Sequence, residues 1–162
     1  MGTVTIPPRN PSVRRPRSAS KRSMRKKTGR PSHEDYVRRV WVALRLEPLQ
    51  LEECAALAQL PGVQARIRER PRAFLPTATA LQVMLDEAVG EVDSMMASCE
   101  DATSQRITTF LRIWYHERGT VTQVAQALSL SRSHVVHAVQ RRALELVTRR
   151  FLDAAWQVPQ SA

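Results

Sequence analysis

A chain of 162 residues with 43% hydrophobic and 25% charged side chains can bury one good core, or two small helical ones. No apolar run approaches the ~18 residues that a membrane span needs. The opening MGTVTIPPRNPSVRRPR lacks the apolar stretch of a secretory signal, and its prolines oppose the amphipathic helix of a mitochondrial presequence. The two cysteines, Cys54 and Cys99, have neither a CxxC spacing nor paired histidines. That predicts buried thiols in a reducing, cytoplasmic setting, and no metal site.

The net charge of +10 is unevenly placed. Ten of the 25 Lys and Arg fall in residues 1–30 with no acid among them, and the other fifteen match the 15 Asp and Glu. A basic arm therefore precedes a balanced body. The arm (residues 1–32) also holds Pro7, Pro8, Pro11, Pro16 and Pro31. Too little apolar surface is present to offset ordering entropy, and disorder is expected. Arg22, Arg25, Lys26, Lys27 and Arg30 are its candidate phosphate contacts.

The body reads as all-α. Ser32 is an N-cap signal, with Glu34 and Asp35 in the first turn. The helix it opens runs to about residue 46, with Tyr36, Val37, Val40, Trp41 and Leu44 on one face, and Pro48 ends it. A second helix covers about 51–60 and is broken by Pro61-Gly62, and a short basic helix comes next over 63–69. Residues 33–75 thus form a small helical domain that could be a second helix-turn-helix. Pro76 opens a long connecting helix (76–101) with Leu81, Leu85, Ala88, Val92, Met95 and Cys99 at heptad spacing. This stripe is either a homodimer seam or a docking face for the chain's own helices. Asp86, Glu87, Glu91 and Asp93 make the helix acidic, which turns it away from DNA. The final domain is 102–158. Ser104 is expected to cap its first helix, which carries Ile107, Phe110, Leu111 and Trp114, and Gly119 to end it in the left-handed region.

After Gly119 the chain reads TVTQVAQALSLSRSHVVHAVQRRALELVTRRF. Thr120 or Thr122 can cap a short helix with Val121, Val124, Ala125 and Leu128 inward. Ser129-Leu130-Ser131 makes a tight turn, with Leu130 returning to the core. Ser131 caps a second helix that buries Val135, Ala138 and Val139. The steps from Ala125 to Ser129 to Val135 are those of a helix-turn-helix, with Ser129 standing where glycine is usual.

This segment resembles the helix-turn-helix of bacterial transcription regulators, most closely that of sigma-factor region 4 and related activators, over residues 104–152. Nothing before residue 104 resembles the polymerase-binding part of a sigma factor. The resemblance implies double-stranded DNA as a partner, with transcription machinery as a further one, and a nucleoid-associated location. Arg132, Ser133, Val136, His137 and Gln140 would then read bases, with His134 at the edge. Arg132 suits guanine, Gln140 adenine and Val136 a thymine methyl. Thr122, Gln123, Ser131, Arg141, Arg142, Arg149 and Arg150 would meet phosphates. In the arm, Gly29-Arg30-Pro31 resembles an AT-hook core, although Thr28 replaces the arginine before the glycine. A basic lead ending in Gly-Arg-Pro-Ser is also similar to those of phage and mobile-element proteins, including small terminase subunits.

Three functions compete: a transcriptional regulator, a phage or mobile-element DNA-binding protein or nucleoid organiser, and an enzyme. No Ser-His-Asp set, HExxH, phosphate loop or carboxylate pair is legible, so catalysis and cofactors are not expected.

Overall fold

A computed structural model describes residues 2–3 and 30–157 of the chain, and among them every regular element is helical. The arm candidates Arg22, Arg25, Lys26 and Lys27, and the disorder expected up to residue 29, lie outside the described residues, while Arg30 is exposed. The body from Pro31 onward is one compact unit.

Helix α1 (His33–Ala43) starts as its sequence indicates. The Ser32 hydroxyl accepts from the Asp35 amide, and the Asp35 carboxylate accepts from the Ser32 amide at 2.9 Å and from its hydroxyl at 2.8 Å. These bonds, the backbone one first, hold the Asp35 pKa below 3.8. Trp41, placed on the buried face by its spacing, is 43% exposed.

Pro48 opens a helix here and does not close one. Two short turns, α2 (Pro48–Glu52) and α3 (Ala55–Ala58), replace the expected continuous helix. Glu52, at the end of α2, accepts from the Ala78 amide at 2.7 Å. It thereby caps the start of α5, whose own preceding residue, Leu75, provides no side-chain cap. Pro61-Gly62 likewise begins α4 (Pro61–Glu69). Proline fits a first helical position because its missing N–H has no partner to lose. Gly62 is required by close approach: a Cβ there would stand 2.5 Å from the Ala154 carbonyl oxygen.

Helix α5 (Pro76–Ala97) runs through the middle, packed on α2, α4, α6 (Ala102–Phe110) and α9 (Arg141–Trp156). Helices α1 and α4 also pack on α9. Residues 33–75 therefore share one core with the rest and do not stand as a separate domain. The heptad stripe is consumed by that core: Leu81, Leu85, Ala88 and Val92 are buried within the chain. Of the two readings of the stripe, that is the docking face for the chain's own helices; Met95 at its end is half-buried. Cys99 lies past the end of α5 and is exposed, contrary to the expected buried thiol, whereas burial pushes the half-buried Cys54 up in pKa.

The acids of α5 are engaged by the chain itself. Asp86 accepts from the Tyr115 hydroxyl and from Gln82, and burial together with that carboxylate raises the Tyr115 pKa. Glu87 pairs with Arg66 at 2.9 Å, Glu91 with Arg150 at 3.9 Å, and Asp93 with His116 at 3.3 Å.

Asp101, not Ser104, caps α6. Its carboxylate accepts from the Ser104 hydroxyl and amide, and these bonds lower its pKa. A π-helical turn, Leu111–His116, extends α6 and buries Leu111, Ile113, Trp114 and Tyr115. The left-handed residue after it is Arg118 (φ 55°), not Gly119. Gly119 is there for space, since a Cβ would meet the Ile113 side chain and carbonyl at 2.8 Å. No helix among the described residues is long and apolar enough to cross a membrane.

Candidate nucleic-acid interface

Helix α7 (Val121–Leu128) is capped by Thr120, whose hydroxyl accepts from the Gln123 amide. The Gln123 side-chain oxygen, Oε1, in turn accepts from the Thr120 amide at 2.8 Å. Thr122 is exposed and is not the cap. The helix stops at Ser129, which adopts φ 52°, ψ 40°. The Leu130 amide then reaches back to the Ala125 carbonyl at 3.0 Å, and the Ser129 amide to Gln126 at 3.2 Å. This is the C-terminal geometry glycine usually provides, carried here by a serine.

Ser131 caps the next segment by accepting from the His134 amide at 3.1 Å. From there the backbone stays helical through α8 (Arg132–His134), a π-helical turn (Val135–Gln140) and α9. We call this continuous element the rod. Val124, Ala125, Val135 and Val139 are buried where α7 and the rod meet. The turn between the two helices is thus the one the sequence spacing predicts.

The rod's outward face differs from that expectation in two places. Ala138, expected inward, is exposed, and Gln140, expected to read adenine, is 4% exposed with no hydrogen-bond partner on Oε1. The π turn is the cause. An i→i+5 turn holds about one residue more than an α turn, which rotates the downstream residues by about 100°. Val139 and Gln140 consequently fall inward together, and Leu144, Val147 and Phe151 continue the buried line. Gln140 cannot read a base in this arrangement.

Arg132, Ser133, His134 and His137 are exposed, Val136 is half-buried, and Ser131 is exposed. No ion pair among the described residues involves Arg132. The phosphate candidates are scattered. Arg141 and Arg142 share Glu145 at 3.2 and 3.8 Å. Arg149 and Arg150 lie roughly 25 Å along the rod from Arg132, and Arg150 faces Glu91 of the acidic helix. Those last two do not belong to the same surface as Arg132. His134 and His137 gather no third ligand, because no group of three or more His, Cys, Asp or Glu suited to a metal occurs among the described residues.

Two arginines outside the expected set secure the motif. The Arg45 guanidinium lies 4.7 Å from the Trp114 ring centroid and donates to the carbonyls of Trp114 and Gly119. Arg118 donates to the Leu44 carbonyl at 2.9 Å. Burial first, and then the like charge of Arg118, lowers the Arg45 pKa. Sequence reading missed both; the one available signal was a pair of arginines beside helix ends.

A groove of about 440 Å³ also runs between α1 and the rod, lined by His33, Val37, Trp41, Val136, Gln140 and Leu144 among others. Comparison with known proteins found no matching family model, no matching curated protein and no matching solved structure.

Proposed function

We propose that this protein is a double-stranded-DNA-binding regulator of transcription, acting in the cytoplasm at the nucleoid, that reads the major groove with the N-terminal end of the rod. Arg132, Ser133, His134 and His137 are the base-reading residues, with Val136 at their edge. Ser131, Thr122 and Gln123 are the nearest groups for phosphates. The observation that carries this reading is the exposed Arg132–His137 end, held on a capped helix by a left-handed turn at Ser129.

Two further features support it. Two of the four α5 acids are paired with arginines of the chain, Glu87 with Arg66 and Glu91 with Arg150, which lessens the negative field that helix presents to a duplex. The basic segment joins the body just ahead of His33, which lines the same groove as Val136. The arm adds salt-dependent, sequence-independent affinity.

Selection from a random duplex library at defined salt tests the division of labour. Arg132→Ala is expected to erase the preference at one base position. Deleting residues 1–30 should weaken binding to all sequences alike and flatten the salt dependence. Equal, unspecific losses from both changes would refute the reading.

A further inference from the structure

Between α4 and α5 the chain turns through Arg70-Pro71-Arg72-Ala73-Phe74. Phe74 is 94% exposed, the most exposed large hydrophobic side chain among the described residues. An aromatic ring left in water forgoes the burial that would stabilise it, and a partner with a flat apolar face restores it. The ring stands at the edge of a groove of about 340 Å³ whose walls include Leu51, Leu75, Ala78 and Val83, and no charged side chain lines it. The charge sits next door. A second hollow, which holds Arg70, shares Thr79 and Val83 with the groove, so Arg70 and the apolar cleft lie on either side of one ridge of α5. Arg68 and Arg72 are exposed as well. None of these three guanidinium groups has an ion pair among the described residues. Residues 68–74 hold three arginines against the single Glu69, a net +2. The Glu52 carboxylate, bonded to the Ala78 amide at 2.7 Å, faces the positive end of the α5 dipole, and Arg66 is matched by Glu87.

We propose that this surface binds a single-stranded polynucleotide, with one base laid in the groove against Phe74 and the flanking phosphates on Arg70 and Arg72. The uncharged cleft suits a base, the adjacent unpaired cations suit phosphates, and every nucleotide carries both on one short unit. A duplex does not fit, because its base faces are stacked on one another and only their edges are open. An acidic peptide answers the arginines but not the cleft. The site is separate from the rod's reading end: Gly62, at the start of α4, packs on Ala154, roughly 33 Å along the rod from Arg132. It does not depend on the duplex reading.

The probe is labelled oligothymidylate about twelve nucleotides long, and its control is an abasic strand of the same length, which has the phosphates without the bases. In anisotropy titrations of the full chain, the abasic strand should bind about tenfold more weakly. Equal affinity for the two strands overturns the proposal, since phosphates alone would then account for binding. Phe74→Ala, which removes a ring already in solvent, should abolish most of that difference. A difference that survives the substitution puts the base elsewhere and overturns the site. Replacing Arg70 and Arg72 together by Ala should weaken both strands and flatten the slope of log affinity against log salt by about 1.4; an unchanged slope removes the arginines from the site. Arg132→Ala should leave the difference between the strands intact, and its loss in that variant would move single-strand binding to the rod and overturn the proposal. Polyglutamate that displaces the probe as well as unlabelled oligothymidylate does would assign the surface to acidic peptides instead.

Discussion

Between Arg132 and His137 the rod carries an exposed cation with no ion-pair partner among the described residues, two exposed imidazoles and a hydroxyl. Between Arg141 and Trp156 the same rod buries Ala143, Leu144, Val147, Thr148, Phe151 and Ala155 and commits three arginines to carboxylates. One end is free to meet a partner; the other is the wall against which α1, α4 and α5 are built. The lesson is that a cationic helix is not uniformly a binding surface. Two things decide: whether each cation already has a carboxylate, and which way the preceding turn aims the side chain.

The sharpest way to break this contrast is to empty the buried end. Phe151 is fully enclosed, and Phe151→Ala should cost about 3–5 kcal/mol in urea unfolding. If the variant unfolds normally, α9 is not the wall described here. Next in size is the free end. Arg132→Ala should cost about 1–3 kcal/mol in binding a preferred duplex while changing stability by less than about 0.5 kcal/mol. A comparable loss of stability would mean the side chain is structural. At the junction, Gln140→Leu exchanges an unpaired buried amide for a hydrocarbon of similar shape. Stability should stay level or rise by about 1 kcal/mol, with duplex affinity unchanged. A tenfold affinity loss would return Gln140 to the reading face. Smallest of all, Arg150→Ala removes a largely exposed pair with Glu91 and should move both duplex affinity and stability by less than about 0.5 kcal/mol.

Local signals in the sequence were enough wherever a few adjacent residues decide the geometry. Ser32 and Ser131 cap because a short hydroxyl side chain reaches an amide three residues on. The turn at Ser129 is set by the spacing around it. Signals that depend on distant partners misled. Ser104 is not the cap because the helix starts three residues earlier, where the Asp101 carboxylate accepts from the Ser104 amide and hydroxyl with a full charge. The heptad stripe reads the same whether it faces a second copy or its own chain. Gln140 and Ala138 exchanged roles because an α-helical period was applied across a π turn. That turn packs against α6 and α7, and nothing in VVHAVQ announces it. Within the candidate site, then, the exposure of Arg132, Ser133, His134 and His137 was legible and the burial of Gln140 was not.

The clasp between Arg45, Arg118 and the carbonyls of Trp114, Gly119 and Leu44 has a practical result for anyone wishing to transplant the motif. Residues 104–152, cut out as a cassette, would lose the α1 and Arg45 side of that clasp. Fusions should therefore carry the chain from Ser32 onward, and chimeras that swap only the turn and its flanking helices should fold poorly in any host lacking an equivalent brace.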